Sequence, residues 1–291
     1  MAGSNTTTTF AFPGRSLSSG LTGFRNAGLL IAVSVLALLI LAVVFPGVFT
    51  GRDPLASDMS NALAAPSFEH IFGTDHLGRD VWSRVVHGAR YSILIGVAST
   101  VLGVVIGVFF GLIAGVSHRR VDEAISRVFD AVGAFPDLLF ALMLITLTGP
   151  GTGNVIAAIA IASAPRYGRV VRAETLRVRE SDYVAQSRLA IASATRRTVR
   201  HVLPNALGTV PVLATLGVGT AIIGAAGLSF LGFGPTPPLP EWGSMLSDAR
   251  QDLRIAWWVG FFPGLFITIT VVSVSIAGRN LQRRFERRVQ P

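Results

Sequence analysis

The chain alternates long apolar runs with shorter polar connections, and the runs are too long for strands. The first, AGLLIAVSVLALLILAVVFPGVF from Ala27, outlasts the roughly 7–15 residues of a signal-peptide core and lacks a small-x-small cleavage site, which predicts a retained transmembrane helix. Five further spans are predicted near residues 91–115, 129–148, 152–168, 207–231 and 256–277. The fourth of the six is the weakest, since Pro165 and Arg166 interrupt its apolar run. A helix buried in a bundle tolerates such an interruption better than one facing lipid. The pattern therefore predicts an all-α integral membrane protein with six transmembrane helices across residues 26–278. Loops 47–90 and 232–255 lie on one side and loop 169–206 on the other, with a Ser/Thr/Gly-rich flexible tail at 1–25 and a basic tail at 279–291.

Composition removes several kinds of chemistry. Hydrophobic residues make up 51% of the chain and charged residues 14%, a balance that no water-soluble core of this size requires. All 25 basic residues are arginine, and without lysine there is no G-x-x-x-x-G-K-[ST] phosphate loop, so the chain is not itself a P-loop ATPase. The absence of cysteine excludes disulfides, thiolate metal sites, iron–sulfur clusters and thiol nucleophiles. The net charge of +9 is sorted by side rather than gathered into a nucleic-acid surface. With the N-terminus inside, nineteen arginines fall in cytoplasmic segments and six in external ones, which predicts an N-in, C-in arrangement.

Within the second span, Gly103, Gly107, Gly111 and Gly115 repeat every four residues, a ridge of small residues that lets another helix approach closely. Packing within the chain is the expected use, with a subunit contact as the alternative. Asp130 and Asp137 flank Pro136 and are the only acidic residues expected at membrane depth. No chain of His, Asp or Glu accompanies them, so capping or interfacial snorkelling is expected rather than a proton relay. In the first external loop, Gly73-Thr74-Asp75 and Gly78 mark turns, and Asp80 is placed to cap a helix bearing Val81, Val85 and Ala89 on one side. His70, Asp75 and His76 lack a further ligand, so turn capping is expected there rather than a metal site.

The cytoplasmic segment between Arg166 and Asn205 carries nine arginines against Glu174, Glu180 and Asp182. From Asp182, the positions of Val184, Ser187, Arg188, Ile191 and Ala192 predict a short amphipathic helix capped by Ser181 or Asp182. A second helix through Arg196, Arg197 and Arg200 is expected to stop before Pro204, which cannot donate and pushes residue 203 out of the helical region.

This segment resembles the EAA loop of ABC importer permeases, and Tyr183, Val184, Arg188, Ala192, Ser193, Arg200, His201, Val202, Leu203, Pro204 and Asn205 match the version in peptide permeases. It departs from that pattern where Ala185, Gln186 and Ser187 replace Glu-Ala-Ala and Ile191 replaces glycine. Residues 70–96 resemble the signature of the C-type permease subunit of dipeptide and oligopeptide importers at Gly73, Thr74, Asp75, Gly78, Arg79, Asp80, Val81, Ser83, Arg84, Gly88, Ala89, Arg90 and Ser92. LSFLGFGPTPPLPEWGSML from Leu228, with Glu241, Trp242 and Gly243, is similar to a second segment of that family. The arginine-rich end does not follow the family's usual ending, and only headgroup or partner attraction is assigned to it.

The resemblance implies the type I permease fold of ABC importers and half of a translocation path for dipeptides or oligopeptides, in a multi-pass subunit of the bacterial inner membrane. It further implies a heterodimer with a homologous permease, an extracytoplasmic solute-binding protein, and two ATPase subunits or one fused ATPase that hold ATP and magnesium. Tyr183, Val184, Ala185, Gln186, Ser187, Arg188, Leu189, Ile191, Ala192 and Ser193, together with Arg200, Leu203 and Pro204, would then couple this chain to the ATPase. No catalytic, cofactor or metal residue is expected on the chain itself. Related permeases carry nickel or other small solutes, which stands as the alternative cargo. An ion-coupled secondary transporter is a further alternative, but it calls for inverted repeats and buried ion ligands that the sequence does not display. An intramembrane enzyme calls for a nucleophile and base at depth, whereas His70, His76, His87, His118 and His201 all fall in or beside predicted loops.

Overall fold

The computed structural model describes residues 18–179 and 203–289. Among these residues there is no strand, and the chain forms α1 (Ser18–Val44), α2 (Val81–Val116), α3 (Arg119–Gly133), α4 (Asp137–Thr148), α5 (Thr152–Arg179), α6 (Leu203–Ala206), α7 (Val210–Leu228), α8 (Trp242–Ala249) and α9 (Trp258–Val289). A π-helical turn, Ser229–Phe233, prolongs α7 and contains Gly232 at φ 92°.

Among the described residues, four helices are long and apolar enough to cross a membrane: α1 from Ala27, α2, α7 with its π-helical turn, and α9 to Arg283. The predicted third span is not one helix but two, α3 and α4, bent by 91° across the break before Pro136. Proline has no N–H to donate and disfavours helical angles at the preceding residue, so the break falls where the sequence puts Pro136. The two halves also differ in kind. α3 is strongly amphipathic with one buried residue, Phe129, whereas α4 is apolar on all sides. Counting α3 and α4 as one broken span gives five candidates.

Several sequence-based boundaries need correction. α1 starts at Ser18, inside the expected tail 1–25, and α9 runs to Val289, so the basic end is a helical extension rather than a separate tail. Residues 81–90 are the first turns of α2 and not loop, which also places His87 inside a helix. Loop 232–255 contains α8. The first eleven residues of the expected loop 169–206 are helical, because α5 continues through Pro165 as far as Arg179. Pro165 is buried, and the helix runs on through it, as a proline-containing helix packed among other helices can.

The most extensive helix contact joins α2 and α5. A Cβ added at Gly103 would meet Ser163 and Ala160, at Gly107 Ala164 and Tyr167, at Gly111 Gly168, and at Gly115 Thr175. These pairs ascend together in both helices, so α2 and α5 pack in parallel and the glycine ridge is spent inside the chain. Gly96 against Ile222 and Gly217 beside Thr100 set α7 antiparallel to α2, and Gly219 near Val271 with Gly278 against Thr215 sets α9 antiparallel to α7. The C-terminal ends of α2, α5 and α9 therefore share one side.

Arginines of α5 tie that side together. Arg172 forms a two-point ion pair with Asp122 of α3, Arg169 donates to the carbonyl of Phe129 at 3.1 Å, and Arg179 donates to the carbonyl of Gly115 at 3.1 Å. The last contact places a cation on the final carbonyls of α2, where the helix dipole favours it. These three arginines have helical partners, in contrast to the solvated loop that the sequence predicts for them.

Candidate functional site

The two loop motifs, about 150 positions apart in sequence, close into one clasp over the N-terminal ends of α2 and α9 and the C-terminal end of α7. Glu241 begins α8 by accepting from the backbone N–H groups of Gly243 and Ser244, each at 2.9 Å, as a helix cap does. Its Oε1 also accepts the hydroxyl of Ser92 at 3.0 Å, and that same hydroxyl oxygen accepts from the Trp242 backbone N–H at 3.1 Å. Trp242 donates its indole N–H to the Val85 carbonyl at 2.9 Å. Glu241 and Trp242 are both 0% exposed, and the buried polar atoms of both side chains have partners. Gly88 and Gly243 allow this closeness, since a Cβ on either would press on Trp242 or on the Ala226 backbone.

The first motif supplies the ionic half of the clasp. Asp75 accepts from the Leu77 and Arg79 backbone N–H groups at 2.9 and 3.0 Å, binds Arg79 Nε at 2.7 Å, and lies 3.5 Å from Arg84 Nε. All three charged residues are buried. Asp80 caps α2 through the Ser83 N–H at 2.7 Å and pairs with His70 Nδ1 at 2.8 Å. Asp75 and His70 are thus committed to hydrogen bonds inside the loop. Gly73 and Gly78 have φ of +73° and +71°, and a side chain at Gly78 would collide with the Asp58 carbonyl. That neighbouring Asp58 carboxyl is held below its usual range chiefly by the Ser60 hydroxyl, with Asn61 and the Ser60 N–H contributing. Trp258, at the start of α9, donates to the Thr74 carbonyl at 3.1 Å and fastens the loop to the bundle. Sequence motifs did not single out Trp258; its only signal is a tryptophan at the boundary between a polar stretch and an apolar helix. Arg90 is exposed and lines an outer groove with His87, Tyr91 and Pro240, away from the clasp interior.

Trp242→Phe retains an aromatic ring in the clasp but removes the indole N–H that binds the Val85 carbonyl. Destabilisation of about 1–2 kcal/mol is expected, with solute transport reduced more than ATPase association. Parallel measurement of uptake and of ATPase co-purification checks this, and equal loss of both would indicate general misfolding.

Of the predicted coupling residues, Tyr183, Val184, Ala185, Gln186, Ser187, Arg188, Leu189, Ile191, Ala192, Ser193 and Arg200 lie outside the described residues, as do the proposed caps Ser181 and Asp182. Leu203 and Pro204 open α6, which packs on α5.

A third feature was not legible in the sequence. A cavity of about 180 Å³ opens between α2, α4, α5 and α7, lined by Thr100, Asp137, Ser163, Arg166, Tyr167 and Thr220 among apolar neighbours. Arg166 reaches Thr220 Oγ1 at 3.4 Å and lies 5.4 Å from the centre of the Tyr167 ring. Asp137, in the first turn of α4, faces the same space.

Comparison with known proteins shows what this arrangement accompanies. The family of binding-protein-dependent transport system inner membrane components matches residues 107–291. The dipeptide transport system permease protein DppC of Alkalihalophilus pseudofirmus is 39% identical over 89% of this chain and 85% of its own length. The oligopeptide transport system permease protein OppC of Bacillus subtilis is 38% identical over the same shares, 89% and 85%. Among solved structures, an inward-facing form of the MetNI methionine ABC transporter superposes with a TM-score of 0.57 at 19% identity, covering 69% of this chain and 96% of that one. The likeness to MetNI establishes the fold of the helical core.

Proposed function

Since the chain belongs to the family of binding-protein-dependent transport system inner membrane components, we propose that it forms one half of the membrane path through which an ABC importer brings small peptides into the cell. As a permease subunit of the inner membrane it works with an ATPase and a solute-binding protein, and it is a transport component rather than an enzyme. The observation that carries the peptide reading is the 39% identity to the dipeptide permease across most of both chains. The outer clasp adds support, because it rests on buried residues of both external motifs. Di- and oligopeptides with free termini are the proposed cargo.

The finer arrangement follows from chemistry and packing. A second, homologous permease faces this one, because a single chain encloses only one wall of a path. ATP and Mg²⁺ are held by the ATPase partner, as two subunits or one fused chain, since a chain without lysine cannot build the phosphate loop. Six crossings with both termini in the cytosol are supported by the parallel pairing of α2 and α5, which requires the chain to cross back between them through α4. α5 is then the fourth of the six crossings, polar because other helices rather than lipid surround it. The shared side of the α2, α5 and α9 ends carries the arginine excess expected of a cytosolic face.

Residues 183–205 are proposed to dock on the ATPase, with Tyr183 to Ser193, Arg200, Leu203 and Pro204 as the contact set. Closure of the ATPase would move α5 and α6 as a rigid unit, because α6 packs on α5 and Arg172 and Arg179 bind α5 to α3 and α2. Replacing both Arg188 and Ile191 by aspartate is expected to lower binding-protein-stimulated hydrolysis about tenfold or more while the chain stays inserted. Unchanged stimulated hydrolysis would remove the docking assignment. For the function itself, the test is purification in mild detergent followed by peptide-dependent ATP hydrolysis of the recovered complex. A chain recovered without permease or ATPase partners under several gentle conditions overturns the importer reading.

A further inference from the structure

We infer that Arg166 is the residue of this chain that receives the carboxylate end of the solute inside the membrane, with Asp137, which lines the same cavity, receiving the ammonium end; this rests on the importer reading above. Arg166 sits fourteen residues into α5, roughly 21 Å along its axis at about 1.5 Å per residue. At that depth an arginine facing hydrocarbon is costly, and such residues face a bundle interior or a water-filled space. Yet both Arg166 and Asp137 are exposed on the isolated chain. Their exposure marks a face that lipid does not cover.

The surroundings define what that face takes. Behind Arg166 the cavity is built from buried polar groups, Thr100, Ser163 and Tyr167, which a lipid-facing surface would not collect. The Tyr167 ring and the Thr220 hydroxyl hold the guanidinium in place without neutralising it. Among the described residues neither Arg166 nor Asp137 forms an ion pair, and the Asp137 carboxylate accepts no side-chain hydrogen bond. A stacked guanidinium presents its N–H donors as a planar fork that fits a carboxylate at two points. One uncommitted cation and one uncommitted anion on one wall match a zwitterion. The cavity of about 180 Å³ falls below the roughly 300–1,000 Å³ of complete ligand pockets, as one wall of a shared path should.

Gly217 is the structural condition for this arrangement, because a Cβ there would lie 2.0 Å from the Tyr167 hydroxyl and displace the ring that carries Arg166. The chain's lack of cysteine makes the inference directly testable, since one introduced thiol is unique within it. The experiment uses the complete importer, with both permeases, ATPase and binding protein, in proteoliposomes. Its probe is an equimolar mixture of di- and tripeptides with free termini. Thr220→Cys is expected to react with a charged methanethiosulfonate reagent from water, and the peptide mixture with ATP is expected to slow that reaction about fivefold or more. Arg166→Gln is expected to lower peptide uptake about tenfold or more in a complex that still contains the second permease and the ATPase, with Arg166→Lys intermediate.

Loss of the second permease from the Arg166→Gln complex would make Arg166 an intersubunit ion-pair partner and overturn the inference. So would an unreactive Thr220→Cys thiol, or uptake that Arg166→Gln leaves unchanged while the unaltered complex is stimulated by peptide. Absence of peptide stimulation in the unaltered complex overturns the peptide reading itself, and the carboxylate assignment with it.

Discussion

Asp75→Ala is expected to lower the thermal midpoint of the detergent-solubilised chain by about 6 °C or more, from a loss of about 3–5 kcal/mol. The alanine removes the one acid that sits against both Arg79 and Arg84, at 2.7 and 3.5 Å, and leaves two buried guanidinium groups facing each other. It also strips the Leu77 and Arg79 N–H groups of their acceptor. Asp75→Asn keeps that acceptor and loses only the charge, so its midpoint should fall between those of Asp75→Ala and the unaltered chain. Adding Arg84→Met to Asp75→Ala should recover part of the loss, because one of the two stranded charges goes with it. Melting curves from fluorescence-detected size exclusion measure all four proteins. If the single and double variants melt alike, the buried ionic group does not hold the clasp together.

Gly111→Leu is expected to be as damaging at the centre of the bundle. Its Cβ alone would stand 2.5 Å from the Gly168 carbonyl oxygen and 3.1 Å from the Gly168 carbonyl carbon, and backbone cannot rotate away as a side chain does. α2 and α5 must then separate along a ridge four glycines long, with a cost of about 3 kcal/mol or more. Gly111→Ala sharpens the test. In an open helix this change usually stabilises by roughly 0.5–1 kcal/mol, so destabilisation here would come from the contact with α5. Gly28→Ala in α1, where nothing lies within 4 Å of the added Cβ, is the control and should be neutral or slightly stabilising. Matching behaviour at positions 28 and 111 would show that α2 and α5 are not in close contact in the membrane.

Much of the outer clasp was legible because its groups act locally. Asp80 at the head of α2 and the apolar stripe of Val81, Val85 and Ala89 follow from capping and helical spacing, and the structure buries that stripe. The partner of Trp242 was not legible, because Val85 and Ser92 lie about 150 residues away and no period links them. The bend at Pro136 was written in the sequence as a helix-breaking residue but was absorbed into a single apolar span, since hydropathy averaged over a window does not register a change of direction. The reverse happened at Pro165, where the proline and Arg166 appeared to end a helix that in fact continues to Arg179. Burial between α2 and α7 supplied what the local sequence lacked.

Sequence by itself determined the helical membrane class, the absence of an ATP-binding loop and the peptide-permease resemblance, because each depends on composition, period or a linear motif. Tertiary structure alone decided that the glycine ridge faces α5, that two distant external motifs share Ser92, and that Arg166 and Asp137 open into one cavity. Those facts depend on how each helix is rotated about its axis. That rotation is set by the summed contacts of the whole bundle, and no stretch of sequence carries it on its own.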